Sequence, residues 1–280
     1  TGDTPLVQAA ANGHDHVVRV LLDHQASTEG VRDDGKTALV YAAQHGQSQL
    51  VETLLEHHAN TEATDEARST PLLAACINGH VEVLRVLLQF DTELEAYNDD
   101  GWSALMYASA MGHYECVKLL LAKGARVQAV SSNGSTALLV ATRKGYHDVV
   151  LLLLQHKAPV DATFNTGGLT SLMVAATQGY LSILQLLLQF HANFTLRNHL
   201  GKTALMYAAS SNQVAIVEYL LSLQVAVDAC DNHGTTLLML AAQYGHADMT
   251  KLLLDRNANL NAEETDGSNA LFYATDNNHK

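Results

Sequence analysis

The feature that most restricts how this chain can fold is a phrase that returns at a fixed interval: Thr37-Ala-Leu-Val-Tyr-Ala-Ala, Ser103-Ala-Leu-Met-Tyr-Ala-Ser and Thr203-Ala-Leu-Met-Tyr-Ala-Ala. Taking the first residue of the phrase as a marker, it recurs at Thr4, Thr37, Thr70, Ser103, Thr136, Thr170, Thr203, Thr236 and Asn269, every 33 residues except for one step of 34 from Thr136 to Thr170. A period of this length means one supersecondary unit copied along the chain, each copy too small to bury its apolar face and dependent on stacking against the next. Eight complete or nearly complete units and the first helix of a ninth fill residues 1–280 without a linker, which predicts a single repeat domain. The chain opens inside one unit without Met and stops inside another, so a piece of a longer protein is expected, because array ends need polar caps.

Within each unit the residue chemistry predicts a helical hairpin. Every marker is a Ser, Thr or Asn of the kind that caps a helix N-terminus, and Pro5 and Pro71 take the favoured first helical position. Nine residues later stand Gly13, Gly46, Gly79, Gly112, Gly145, Gly179, Asn212, Gly245 and Asn278, residue types that accept the left-handed backbone ending a helix. Each first helix is therefore about two turns long. A second apolar stretch at helical spacing follows, as in Val17, Val18, Leu21 and Leu22 or Val117, Leu120 and Leu121. Polar turns ending in Gly join the units, as in Asp33-Asp34-Gly35, Asp99-Asp100-Gly101 and Asn232-His233-Gly234, and only Arg68 breaks that Gly series.

In period, cap, alanine pair, Gly and Leu-Leu pair, all recurring in register along essentially the whole chain, the pattern resembles the ankyrin repeat. The resemblance implies an all-α solenoid of stacked helix–turn–helix units with projecting β-turn fingers. The sequence departs from the family signature at its His, replaced by Val7, Val40, Leu73, Met106, Leu139, Met173, Met206, Met239 and Phe272. The inter-repeat hydrogen bonds of the family's histidine are thus expected to be missing and apolar packing to stand in for them. Arrays of this kind can carry a hydroxylated asparagine after the second helix. The corresponding positions here are Glu29, Glu62, Glu95, Gln128, Asp161, Thr195 and Asp228, and only Asn261 offers the amide.

Composition narrows the function classes. A chain that is 48% hydrophobic and 16% charged has the apolar content of a folded protein. A formal charge of −13 repels nucleic-acid phosphates and anionic lipid headgroups, so neither is an expected partner. Cys76, Cys116 and Cys230 are far apart and odd in number, which argues against a disulfide framework and for an intracellular, cytoplasmic protein. The longest apolar runs, such as Val149 to Leu154, are too short to span a bilayer. There is no Gly-x-Ser-x-Gly elbow, phosphate loop or His-Glu-x-x-His stretch, and neither an enzyme nor a cofactor is expected. Among the 15 histidines, His14, His80, His113 and His246 fall where the second helix starts, a place suited to a polar residue. His57 and His58 fall at a helix end, so no metal site is expected.

The resemblance also implies a partner protein bound on the concave face, by finger tips and the exposed ends of first helices. Trp102, Met111 and Ile77 are the apolar candidates there, Trp102 being alternatively a packing group for its neighbouring finger. Asp34, Glu66, Asp99 and Asp100 make the N-terminal fingers acidic, or simply solvate them, while Arg143 and Lys144 supply positive charge further on. His45, Leu169 and Tyr244 complete the candidate positions. The complementary partner is an extended segment carrying basic and apolar residues, bound to a monomeric array. Two other roles fit the same residues: the ankyrin module of a channel or cytoskeletal adaptor, and a regulator that blocks an enzyme's cleft.

Overall fold

The computed structural model describes residues 4–164 and 167–276 and divides into two compact units, Thr1–Ala158 and Pro159–Lys280. In the first unit five hairpins follow one another: α1 (Pro5–Ala11) with α2 (Asp15–Asp23), α3 (Ala38–Gln44) with α4 (Ser48–Glu56), α5 (Pro71–Asn78) with α6 (Val81–Leu87), α7 (Ala104–Met111) with α8 (Tyr114–Ala122), and α9 (Ala137–Lys144) with α10 (His147–Gln155). First helices pack on first helices of the adjoining repeats and second helices on second helices. The second unit opens with a short antiparallel pair, β1 (Thr163–Phe164) and β2 (Leu169–Thr170), in the finger that holds the extra residue of the 34-residue step. It continues with α11 (Ser171–Gln178), α12 (Leu181–Gln189), α13 (Ala204–Ser210), α14 (Val214–Ser222), α15 (Leu237–Gln243), α16 (Ala247–Asp255) and α17 (Ala270–Asp276).

All nine first helices begin one residue after their markers. The hydroxyls of Thr4, Thr37, Thr70, Ser103, Thr136, Thr170 and Thr236 each accept the backbone N–H three residues on, and Asn269 does so with its amide oxygen. Each such cap contributes about 1 kcal/mol. Thr203 is the exception, its buried hydroxyl lacking a partner among the described residues, and nothing in the structure explains it. First helices end as expected in a left-handed residue, with φ +74° at Gly112 and +56° at Asn212, while Asn278 lies outside the described residues. Gly112 answers a second demand too. A Cβ there would stand 2.7 Å from the ring of Tyr146 in the next repeat.

Eight of the residues that replace the signature histidine, Val7 through Met239, are buried, so apolar packing does fill their place. Inter-repeat histidine bonds exist all the same, supplied from another position. His80 Nε2 lies 3.0 Å from the Gln44 carbonyl oxygen, His113 Nε2 3.1 Å from that of Ile77, and His246 Nε2 3.0 Å from that of Ser210. These rings make no cap bond at the helices they precede; they reach back to the open C-terminal carbonyls of the previous first helix.

The residues at the positions corresponding to the hydroxylated asparagine also link repeats. Glu29, Glu62 and Glu95 accept the backbone N–H of Asn60, Glu93 and Arg126 at 3.1, 2.8 and 2.8 Å. Asp161 and Asp228 do the same for Asn193 and Asn259 at 3.0 and 2.8 Å. A carboxylate rather than an amide suits an acceptor with no donor to satisfy.

Candidate partner-binding face

In several fingers a polar residue five before the marker closes the turn. Asp65 Oδ1 accepts the N–H groups of Ala67 and Ser69, and Asn98 Oδ1 those of Asp100 and Trp102, which closes each turn from inside. Neighbouring fingers are stitched by single backbone bonds, Glu66 N to Asp34 O at 3.4 Å and Ser132 N to Asp100 O at 3.0 Å. Such a finger presents its tip from a backbone whose own polar groups are satisfied.

A tyrosine four past the marker ties finger to helix. The Tyr107 hydroxyl accepts from Asn98 Nδ2 at 2.7 Å, and that of Tyr207 from Asn198 Nδ2 at 2.8 Å. Tyr41 instead donates to Asp34 Oδ2 at 2.7 Å, and Lys36 Nζ lies 3.2 Å from the same oxygen. Burial would raise the Asp34 carboxyl, but the Tyr41 hydroxyl, the Lys36 N–H and the Lys36 ammonium together hold it below the usual carboxylate value. The Arg32 guanidinium and Lys36 ammonium stand 5.2 and 5.4 Å from the centre of the Tyr41 ring. The spacing of nine between Asn98 and Tyr107, and again between Asn198 and Tyr207, was the sequence signal for this brace.

The predicted binding residues are distributed as follows. Trp102 is half-buried, its ring 5.1 Å from that of Tyr107 and tilted by 45°, so it packs on the finger brace of its own repeat. Met111, at the end of α7, is 47% exposed, and Ile77 is half-buried near the end of α5. Glu66, Asp99 and Asp100 are exposed on their fingers, with Asp99 3.6 Å from the guanidinium of Arg68, whereas Asp34 is half-buried. His45 is exposed, its ring stacked 6.0 Å from Tyr41. Arg143 and Lys144 are exposed in the last turn of α9. Leu169 and Tyr244 belong to the second unit, the former half-buried in β2 and the latter exposed and stacked 5.9 Å from His246. Between α3, α5 and α7 a hollow of about 270 Å³ brings Ile77 together with Gln44, Asp65, Ala74, Asn78 and Tyr107.

The rest of the chemistry is sparse. Among the described residues no group of three His, Cys, Asp or Glu side chains is placed to hold a metal ion, and no helix is long and apolar enough to cross a membrane. Burial pushes the Cys116 thiol up to about 11 and that of Cys76 well above its ordinary value, so neither is a ready thiolate nucleophile. A family model described as ankyrin repeats, in three copies, matches at residues 1–65, 58–131, 127–198, 172–264 and 223–280. No curated protein sequence matches the chain.

Proposed function

The chain belongs to the ankyrin-repeat family, and from that we propose that it is a non-catalytic scaffold capturing a partner protein on the finger and first-helix face of its second to fourth repeats. Ankyrin repeats in general mediate protein–protein interaction. The observation that carries the placement is the mixture on this face: exposed Met111 and half-buried Ile77 and Trp102 among the carboxylates of Glu66, Asp99 and Asp100. Apolar groups left accessible within a charged field suit an extended segment with alternating apolar and basic side chains, the charges setting orientation and the apolar groups affinity. The three free cysteines, two of them buried, support a reducing, intracellular setting.

The test is capture of partner from extract by three forms: wild type, a Met111→Glu, Asp100→Lys double variant, and Lys118→Glu on the exposed side of α8 as control. Circular dichroism checks that all three stay folded. The double variant is expected to lose at least about tenfold in affinity for the captured polypeptide, while the control binds as wild type. Equal binding by all three would move the site off this face.

A further inference from the structure

Comparing one position across the repeats exposes a gap in the third. Four residues past the markers stand Gln8, Tyr41, Ala74, Tyr107, Val140, Val174, Tyr207, Leu240 and Tyr273, and Ala74 has the smallest side chain of the nine. Where the residue is tyrosine, its hydroxyl meets a polar finger residue. Asn98 and Asn198 bond Tyr107 and Tyr207, the Asp34 carboxylate accepts from Tyr41, and the Tyr273 hydroxyl is bonded to Glu264. In the third repeat the hollow beside Ala74 lies in that place, walled by Ile77 and Tyr107 and reached by Asp65, the residue nine before Ala74. Asp65 spends Oδ1 on two backbone N–H groups, and no hydrogen bond engages Oδ2 among the described residues. Its carboxylate can only accept, so a group that enters the hollow and faces Oδ2 is favoured if it donates. Lys36 at the rim is committed to Asp34.

We propose that this hollow receives a tyrosine side chain of the bound partner, its ring against Ile77 and Tyr107 and its hydroxyl donating to Asp65. The proposal rests on the reading that a partner lies on this face, and it deepens it by naming the anchoring group. A phenylalanine would leave Asp65 unanswered, and a lysine or arginine would bring a second cation beside the Lys36 ammonium. The chain itself sets a phenol opposite a finger carboxylate twice, at Glu264, nine residues before Tyr273 as Asp65 is before Ala74, and at Asp34, seven before Tyr41. A hollow of about 270 Å³ is of side-chain size, below the range that takes drug-sized ligands.

The experiment uses p-cresol, the tyrosine side chain by itself, titrated into the labelled protein while amide shifts of Ala67, Ser69 and Ala74 are followed by NMR. The expected result is saturable shifts with a dissociation constant of ~1–10 mM, as a fragment of this size allows. Toluene should bind at least about fivefold more weakly, ethylguanidinium no better than toluene, and folded Ala74→Tyr should show no shift, its slot being filled from within. Four results would overturn the proposal: no response to p-cresol in the wild type, equal response to toluene, stronger response to ethylguanidinium, or undiminished shifts in folded Ala74→Tyr. The three ligands are compared on the wild-type protein, so a variant that fails to fold leaves the test intact. No partner is needed, so failure of partner capture and failure of this pocket are read separately.

Discussion

Cys76 and Cys116 show how much a single residue's behaviour depends on its surroundings. Both are fully buried, whereas Cys230 is partly exposed. Reacting the native protein with an aromatic disulfide near pH ~8 should therefore label one thiol per chain, with the other two appearing only on denaturation, because the thiolate is the reactive form. Comparable rates at all three would contradict the packing of α5 on α7, which covers Cys76, and of α8 on α7, which covers Cys116. Tyr273 gives the alkaline counterpart. Desolvation first, then its bond to Glu264 and the nearby carboxylates of Asp266 and Asp231, push its phenol from 10 up to about 12. The folded value lies above the ordinary one, so this group's contribution to stability is complete below pH 10 and is lost as pH rises through about 12. Titration followed by phenolate absorbance should show a late-ionising phenol that Tyr273→Phe removes, together with a shallower loss of stability over that interval. Burial of Cys76 and Cys116 follows from their places in the repeat, an alanine-pair position and the apolar side of a second helix, whereas the meeting of Glu264 with Tyr273 through the turn of the finger was not legible from residue identity.

At the scale of elements, the turns carry the strain. Arg68 breaks the Gly series of the fingers, yet the backbone there keeps the same left-handed geometry, with φ +56°. An L-residue pays about 1–2 kcal/mol for that region, and glycine gives back ~0.5–1 of it in unfolded-state entropy. Arg68→Gly should thus raise stability by about 0.5–1 kcal/mol in urea unfolding, since the exposed pair with Asp99 contributes little. A destabilised variant would show that the pair or the finger contact outweighs the backbone term. Gly112→Ala should act in the opposite sense and more strongly, by at least about 2 kcal/mol, because it adds the approach of Tyr146 to the same backbone strain. The ends of the second helices hold the feature that composition hid. Gln25, His58, Lys157, His191, Gln224 and Asn257 all adopt positive φ, and only Gly124 in this row is glycine. Five of these six are ordinary helix-compatible residues and gave no sign of a turn, so only the hairpin geometry reveals what the site requires.

Across the molecule, each unit is a stack in which a repeat touches its neighbours, and stability should follow as a sum of repeat and interface contributions. Leu84 in α6 is fully buried. Leu84→Ala should cost about 2–5 kcal/mol and raise amide exchange most in α4, α6 and α8, with less effect in α1 and α2 two repeats away. Uniform acceleration across the whole first unit would mean that its five hairpins open together.

The repeat period, the starts of the first helices and the positions of most turns followed from the sequence, because capping, left-handed backbone and apolar spacing are local demands that each copy restates. The bonds between copies needed the tertiary structure. They join residues 30 to 36 apart whose meeting depends on how one hairpin lies on the next, as with His113 and the carbonyl of Ile77 or Glu62 and the N–H of Glu93. Trp102 drew attention in the sequence as an anchor by residue type alone, while the hollow of the third repeat lies beside a small residue, Ala74, that no composition argument singles out. An absent side chain acquires meaning only when its neighbours stand around the space it leaves.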